Sequence, residues 1–237
     1  ISLKALSKDS LNLGIKRLSL DEKMSGFSLK KMSLKLVANN KQTSIDNFAI
    51  ELPETSLKMD TIHLVYDSLQ AFEHFAEEVH FSFRTLPSQI TLKDISPFVP
   101  VLSHFKEPIT LDMEVKGTVD QLNCSHLEIV SEEQQFRLRG DVSLQDLSHP
   151  QDAYVYGTLS ELSANTRGVG FLVRNLNPDY NGVPPILERL GNISFRGEIS
   201  GYFTDLVTYG QLRTSLGDVK TDLKLSADKS KGLFAYS

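Results

Sequence analysis

Few residues of this chain combine the types and spacing that chemistry needs. The best metal-like group is His74, Glu78 and His80, because His74 and Glu78 stand four apart and would share one helix face. His80 lies two residues further on and points elsewhere, so a solvated helix face is the simpler reading. Ser28-Leu29-Lys30-Lys31 has the Ser-x-x-Lys spacing by which a lysine activates a serine nucleophile. On a strand that odd spacing puts the two side chains on opposite faces. Gly168-Val169-Gly170 is too short to wrap a phosphate and does not join a strand to a long helix. The single cysteine, Cys124, excludes an internal disulfide and the multi-cysteine zinc patterns. Asn123-Cys124-Ser125 and Asn192-Ile193-Ser194 are glycan acceptors only in a eukaryotic secretory protein. The residues therefore call for no catalytic group, no metal and no cofactor.

What the chain has in abundance is alternation. In Ile109–Leu122, Ile109, Leu111, Met113, Val115 and Val119 fall on one side of an extended backbone, with Gly117 in register. Thr110, Asp112, Glu114, Lys116, Thr118 and Asp120 fall on the other, which reads as one long strand with a buried and a wet face. Leu11, Leu13 and Ile15 repeat the pattern, and Lys16-Arg17 then reverses its parity as a bulge or turn. Met32, Leu34 and Leu36 precede a turn at Asn39–Lys41, and Phe48, Ile50 and Leu52 end at Pro53. Leu57 and Met59, then Ile62, Leu64 and Tyr66, continue an antiparallel meander.

The period changes at Asp67, where Leu69, Phe72, Phe75, Ala76 and Val79 fit one helical face behind an Asp67 or Ser68 N-cap. Phe81 and Phe83 return to strand, Ile90 and Leu92 make a brief one, and Ser96-Pro97 opens a short helix with Phe98, Val101, Leu102 and Phe105. Leu127 and Ile129, then Phe136, Leu138, Val142 and Leu144, then Val155, Gly157 and Leu159 are further strands. Residues 163–184 read as a long irregular loop apart from Phe171-Leu172-Val173. Pro184-Pro185 opens another short helix, stopped by Gly191.

The 237 residues are 40% hydrophobic and 23% charged, as in a folded soluble protein, and no run nears the roughly 20 apolar residues of a membrane span. A net charge of −5 argues against nucleic acid as partner. The first 42 residues are basic, which a solvated strand face with lysines that discourage edge pairing accounts for. Without tryptophan and with 8% aromatics, the chain lacks the girdles of an outer-membrane barrel. Alternation that begins at once and strands that run to the last residues suggest an excerpt from a longer chain.

An echo of the central stretch sharpens this. PFVPVLSHFKEPITLDMEVKGTVDQL aligns with PILERLGNISFRGEISGYFTDL once four residues are dropped, matching Gly117 to Gly201 and Leu122 to Leu206. Repeat units near 88–147 and 184–226 point to a sheet extended by accretion within one continuous segment, residues 1–237. ITLKDISPFVPVL, VKGTVDQL, FRLRGDVSLQDL, GNISFRGEISGYFTDL and LGDVKTDLKLS, over roughly residues 85–225, resemble the TamB branch of the AsmA-like family of bacterial envelope proteins. The first 85 residues match only in style.

The resemblance implies a mainly β fold: an elongated, curled antiparallel sheet, taco-like, with an apolar groove and a few short helices. It also implies the periplasm of a Gram-negative cell envelope, with a parent chain anchored in the inner membrane outside this segment. The implied partners are phospholipid or another acyl-chain lipid and an outer-membrane barrel-assembly protein. The implied roles are phospholipid transport and outer-membrane biogenesis.

The groove lining expected from the apolar rows is Leu111, Met113, Val115, Val119, Leu127, Ile129, Ile193, Phe195, Ile199, Phe203, Leu223 and Leu225. Two other readings stand beside it. In one, exposed strand edges template a partner by β-augmentation. In the other, Tyr154, Tyr156, Tyr180, Tyr202 and Tyr209 serve as carbohydrate platforms.

Overall fold

A computed structural model of the chain describes residues 2–7, 10–24, 26–97, 103, 105–149, 152–176, 185–202, 205–228 and 233–236. Its strands are β1 (Ser2–Ser7), β2 (Ser10–Asp21), β3 (Ser28–Asn39), β4 (Gln42–Glu51), β5 (Ser56–Met59), β6 (Ile62–Val65), β7 (His80–Ile90) and β8 (Ile109–Gly117). They continue as β9 (Gln121–Ser131), β10 (Phe136–Gln145), β11 (Tyr154–Ala164), β12 (Ile193–Tyr202), β13 (Asp205–Thr214), β14 (Gly217–Asp228) and β15 (Leu233–Tyr236). All fifteen belong to one sheet, paired in sequence order from β1 to β15, with β6 bridging β4 and β7 beside β5. Every pairing is antiparallel. The protein is mainly β, a single curled sheet with a few short helices.

The alternation seen in sequence now has a single destination. Through the register, Leu11, Ala38, Thr43, Leu64, Phe81, Gly117, Leu122, Leu144, Val155, Gly201 and Leu206 stand side by side on consecutive strands. A parallel row runs Phe83, Val115, Cys124, Val142, Gly157, Ile199, Thr208 and Leu223. No charged residue interrupts either row. The opposite face carries cross-strand ion pairs, among them Lys31–Glu51 at 3.2 Å and Arg139–Glu128 at 2.7 Å. Exposed pairs of this kind contribute at most about 1 kcal/mol each, so they serve solubility more than stability.

A line of irregularities crosses the strands near their midpoints. Register shifts fall at Ile15/Leu18, Ser33/Lys35, Arg84/Ser88, Asp112/Glu114, Arg139/Gly140 and Leu159/Leu162. Two of the residues set out of pairing, Asn47 and His126, take left-handed backbone conformations with φ of 53° and 55°. A β-bulge bends its strand and tightens its twist. Bulges aligned from strand to strand therefore make a crease along the sheet, and the crease is the physical origin of the curl.

The sheet's strand ends form two rims. The first holds Ile109, Ser131, Phe136, Ala164 and Ile193, and the second holds Gly117, Leu122, Leu144, Val155 and Gly201. On the second rim, a 3-10 turn at Leu69–His74 runs into α1 (Phe75–Glu78), and Ala71 and Val79 pack with Tyr66. The expected apolar helical face is thus only partly realised. Leu69, Phe72 and Phe75 are exposed, because the tight 3-10 turn rotates Ala71 inward in their place.

On the first rim sits α2 (Thr166–Leu176), followed by α3 (Pro185–Leu190). Gly191, with φ of +64°, stops α3 as its sequence implies. Among the described residues, no helix is long and apolar enough to cross a membrane.

Three local expectations are corrected. Ile109–Leu122 is not one strand but a hairpin: Gly117 turns at φ +128°, and the Thr118 amide donates to the Gln121 carbonyl at 3.2 Å. The turn preserves the two-residue parity, which is why the pattern read as unbroken. Ile90 does not start a brief strand with Leu92. It ends β7, which runs through Pro87 at a bulge where the missing amide breaks no ladder bond, and Leu92–Ile95 is a 3-10 turn.

The irregular loop of 163–184 is, over its first part, the helix α2. Asn165 caps it, accepting the Gly168 amide at 2.9 Å. The helix continues through Gly168 and Gly170, residues of low helix propensity, because its docking on the sheet outweighs that cost. The short helix expected from Phe98 to Phe105 falls mostly outside the described residues.

Candidate functional site

The candidate site is the apolar face itself, and its openness is the first question. The accessible surface is 14811 Å². A compact monomer of 26.5 kDa exposes about 10,700 Å². The excess fits one extended sheet rather than a globular two-layer fold. Most side chains of the apolar rows are half-buried, and Leu64 packs against the Tyr66, Ala71 and Val79 cluster.

The expected lining residues divide into distinct groups. Leu111, Met113, Leu127, Phe195 and Ile199 are half-buried on β8, β9 and β12, and Leu223 on β14 is 40% exposed. Phe195 lays its ring over Gly197 and Gly210, where no other side chain would fit. Val115, only 3% exposed, is buried between Phe83 and Cys124, its register partners on either side, and forms part of the packed floor rather than an accessible wall. Val119 lies in the β8–β9 turn rather than on a strand, since the backbone reverses at Gly117. Ile129 and Ile193 do lie on the apolar side, but pack against the α2 cluster described next. Phe203 and the side chain of Leu225 lie outside the described residues.

Sequence reasoning missed the main feature beside this face. Phe136, Ala164, Val169 and Phe171 form a buried cluster, and Ile109, Ile129, Leu138, Leu162 and Ile193 pack against it. The Phe136 and Phe171 rings stack with centroids 5.9 Å apart. Docking is close enough that a Cβ on Gly168 would stand 1.9 Å from the Gln135 carbonyl oxygen, so only glycine allows it. The available signal was Asn165 ahead of the apolar run Val169, Phe171, Leu172, Val173, which the two glycines disguised as a turn.

The residues first considered for chemistry are dispersed. His74 ends the 3-10 turn, Glu78 ends α1 and His80 opens β7. Ser28 hydrogen-bonds Asp21, and Lys31 pairs with Glu51, so neither engages the other. Gly168 and Gly170 are helical. Among the described residues, no group of three or more His, Cys, Asp or Glu is placed to hold a metal.

Tyr156, Tyr202 and Tyr209 are exposed, and Tyr154 meets Tyr202 edge-on at 5.4 Å. A cleft of about 530 Å³ on the first rim is lined chiefly by polar groups, including Gln134, Asn165, Asn192 and Arg213. Arg213 there is already paired with Asp218 at 3.3 Å.

Cys124 supplies a test of the packed floor. Burial, with a smaller contribution from Asp141, pushes its thiol up to about 11. Alkylation at pH 8 is expected to be slow in the folded chain and fast in urea. A group raised in the fold stabilises fully below its unfolded value and loses that effect as pH rises through its folded value. Stability should therefore fall between about pH 9 and 11 in the native chain, and this component should vanish in Cys124→Ala. Denaturant melts across that range measure it.

No family model, no curated protein and no solved structure matches this chain.

Proposed function

We propose that this chain is a non-catalytic segment of a groove that carries acyl-chain lipids, phospholipid foremost, through the periplasm toward the outer membrane of a Gram-negative bacterium. The observation that carries the reading is the charge-free row from Leu11 on β2 to Leu206 on β13, apolar or glycine at every place but Thr43, whose hydroxyl is paired with that of Tyr66. Each methylene of a lipid tail costs about 0.8 kcal/mol to expose to water, so a chain of some fifteen methylenes is held back by roughly 12 kcal/mol. Passage through an aqueous compartment then needs continuous apolar contact without a deep pocket that would trap the lipid. A shallow curled sheet without charge along its rows meets both conditions. The cellular setting and the membrane-anchored parent chain rest on the resemblance to the TamB branch.

Native mass spectrometry after gentle purification is expected to find phospholipid-sized adducts, and extraction should recover the lipid. A chain that emerges lipid-free, and stays so after incubation with phospholipid vesicles, overturns the reading.

A second reading, assistance to outer-membrane protein assembly by strand addition, draws on the outer strands. Among the described residues, β1 and β15 each pair on one side only. Binding of a β-strand peptide should then survive charges placed in the groove and fail when proline replaces both Ala5, in β1, and Ala235, in β15.

A further inference from the structure

From the docking of α2 we infer that acyl chains are confined to the second-rim half of the groove where they cross β8 to β12, with α2 as a fixed internal ledge filling the first-rim half. The inference rests on the lipid-carrying reading and specifies where on that face the lipid lies. Val169 and Phe171 of α2 are 6% and 7% exposed and bury themselves against the same face that a lipid would use. They cover Leu138 of β10 and Leu162 of β11, which are directly opposite one another in the register.

Two features make α2 a ledge rather than a movable lid. The Asn165 side chain caps the helix, and the Asn165 amide donates to the Gln135 carbonyl at 3.1 Å, tying the helix start to the β9–β10 turn. The glycine-only approach of Gly168 to Gln135 fixes the same end. At the other end of β10 and its neighbour, Leu122 and Leu144 pair across β9 and β10, half-buried and outside the α2 cluster. Six residue steps along β10 lead from Leu138 to Leu144, about 20 Å, which is enough to assign a lipid to one half.

The test uses the intact chain with methyl-labelled leucine and a phosphatidylcholine carrying a nitroxide on one acyl chain. Paramagnetic broadening of the Leu122 and Leu144 methyls is expected to exceed that of the Leu138 and Leu162 methyls at least fivefold. This measurement needs no substitution, so folding is not at issue. A second sample, Phe171→Asp, should loosen α2 and bring the Leu138 and Leu162 methyls to the broadening seen at Leu144. Equal broadening at all four leucines in the unaltered chain overturns the ledge while leaving the lipid reading intact. Absence of broadening anywhere, with no lipid retained, overturns both.

Discussion

Gly117→Ala and Gly201→Ala are each expected to lower the unfolding free energy by roughly 3 kcal/mol or more, a drop in Tm of about 6–12 °C for a chain of this size. The two glycines stand at equivalent points of two hairpins. Their φ values are +128° and +131°, and each is registered opposite the leucine five residues on, Leu122 or Leu206. A Cβ would sit 2.0 Å from the Gln121 carbonyl oxygen at the first and 2.2 Å from that of Asp205 at the second. Those oxygens are backbone and cannot swing aside without opening the hairpin.

Two effects contribute, and Gly217 separates them. It has a φ of +141° but nothing within 4 Å of its added Cβ. Gly217→Ala should thus show only the conformational cost, about 1 kcal/mol. Thermal melts of the three variants decide the matter. If Gly217→Ala costs as much as the others, the close approach is not the cause.

Leu144→Lys combined with Leu206→Lys should abolish lipid retention, at least tenfold by lipid extraction, with little loss of secondary structure. Both residues lie in the charge-free row and are half-buried on β10 and β13. Lysine suits the purpose because its stem keeps apolar contact while the ammonium reaches water. A bound acyl chain would cover that ammonium, and an uncompensated buried charge costs several kcal/mol, well beyond the 1.4 kcal/mol of a tenfold change. The free chain faces no such penalty. Lipid retained at the original level by a folded double variant would rule out this row as the lipid path. Unfolding by both single variants would instead mark the row as dry core.

Much of the sheet is legible in the sequence because alternation reports directly which face is buried. Leu11, Leu13 and Ile15 on β2, and Met32, Leu34 and Leu36 on β3, lie where their spacing puts them, and Lys16-Arg17 marks a bulge. The failures share a cause: a local pattern that a distant contact overrides. Val119 keeps strand parity through a turn that Gly117 and the Asp120 amide, bonded to the Ala76 carbonyl at 3.1 Å, impose from outside the stretch. Gly168 and Gly170 disguise α2 as a loop, since the reason for one of them is a carbonyl on the β9–β10 turn. Val115 has the alternation of an accessible wall, and its burial depends on Phe83 and Cys124, which stand beside it on strands the local stretch does not contain. Curvature depends on bulges lining up between strands, which no single stretch records.

Among the described residues the strand path runs from β1 to β15 in sequence order, β6 lying beside β5, and no pairing joins its two ends. Its long dimension is then a matter of counting. At about 4.8 Å per strand, the fourteen strands along the path from β1 to β15 reach about 60 Å, and one more hairpin adds about 10 Å. From β12 to β14 each strand pairs only with the strand before and after it, so a hairpin gained there extends the sheet without re-pairing the rest. A sheet built this way grows in even steps, as a ruler is lengthened by further divisions.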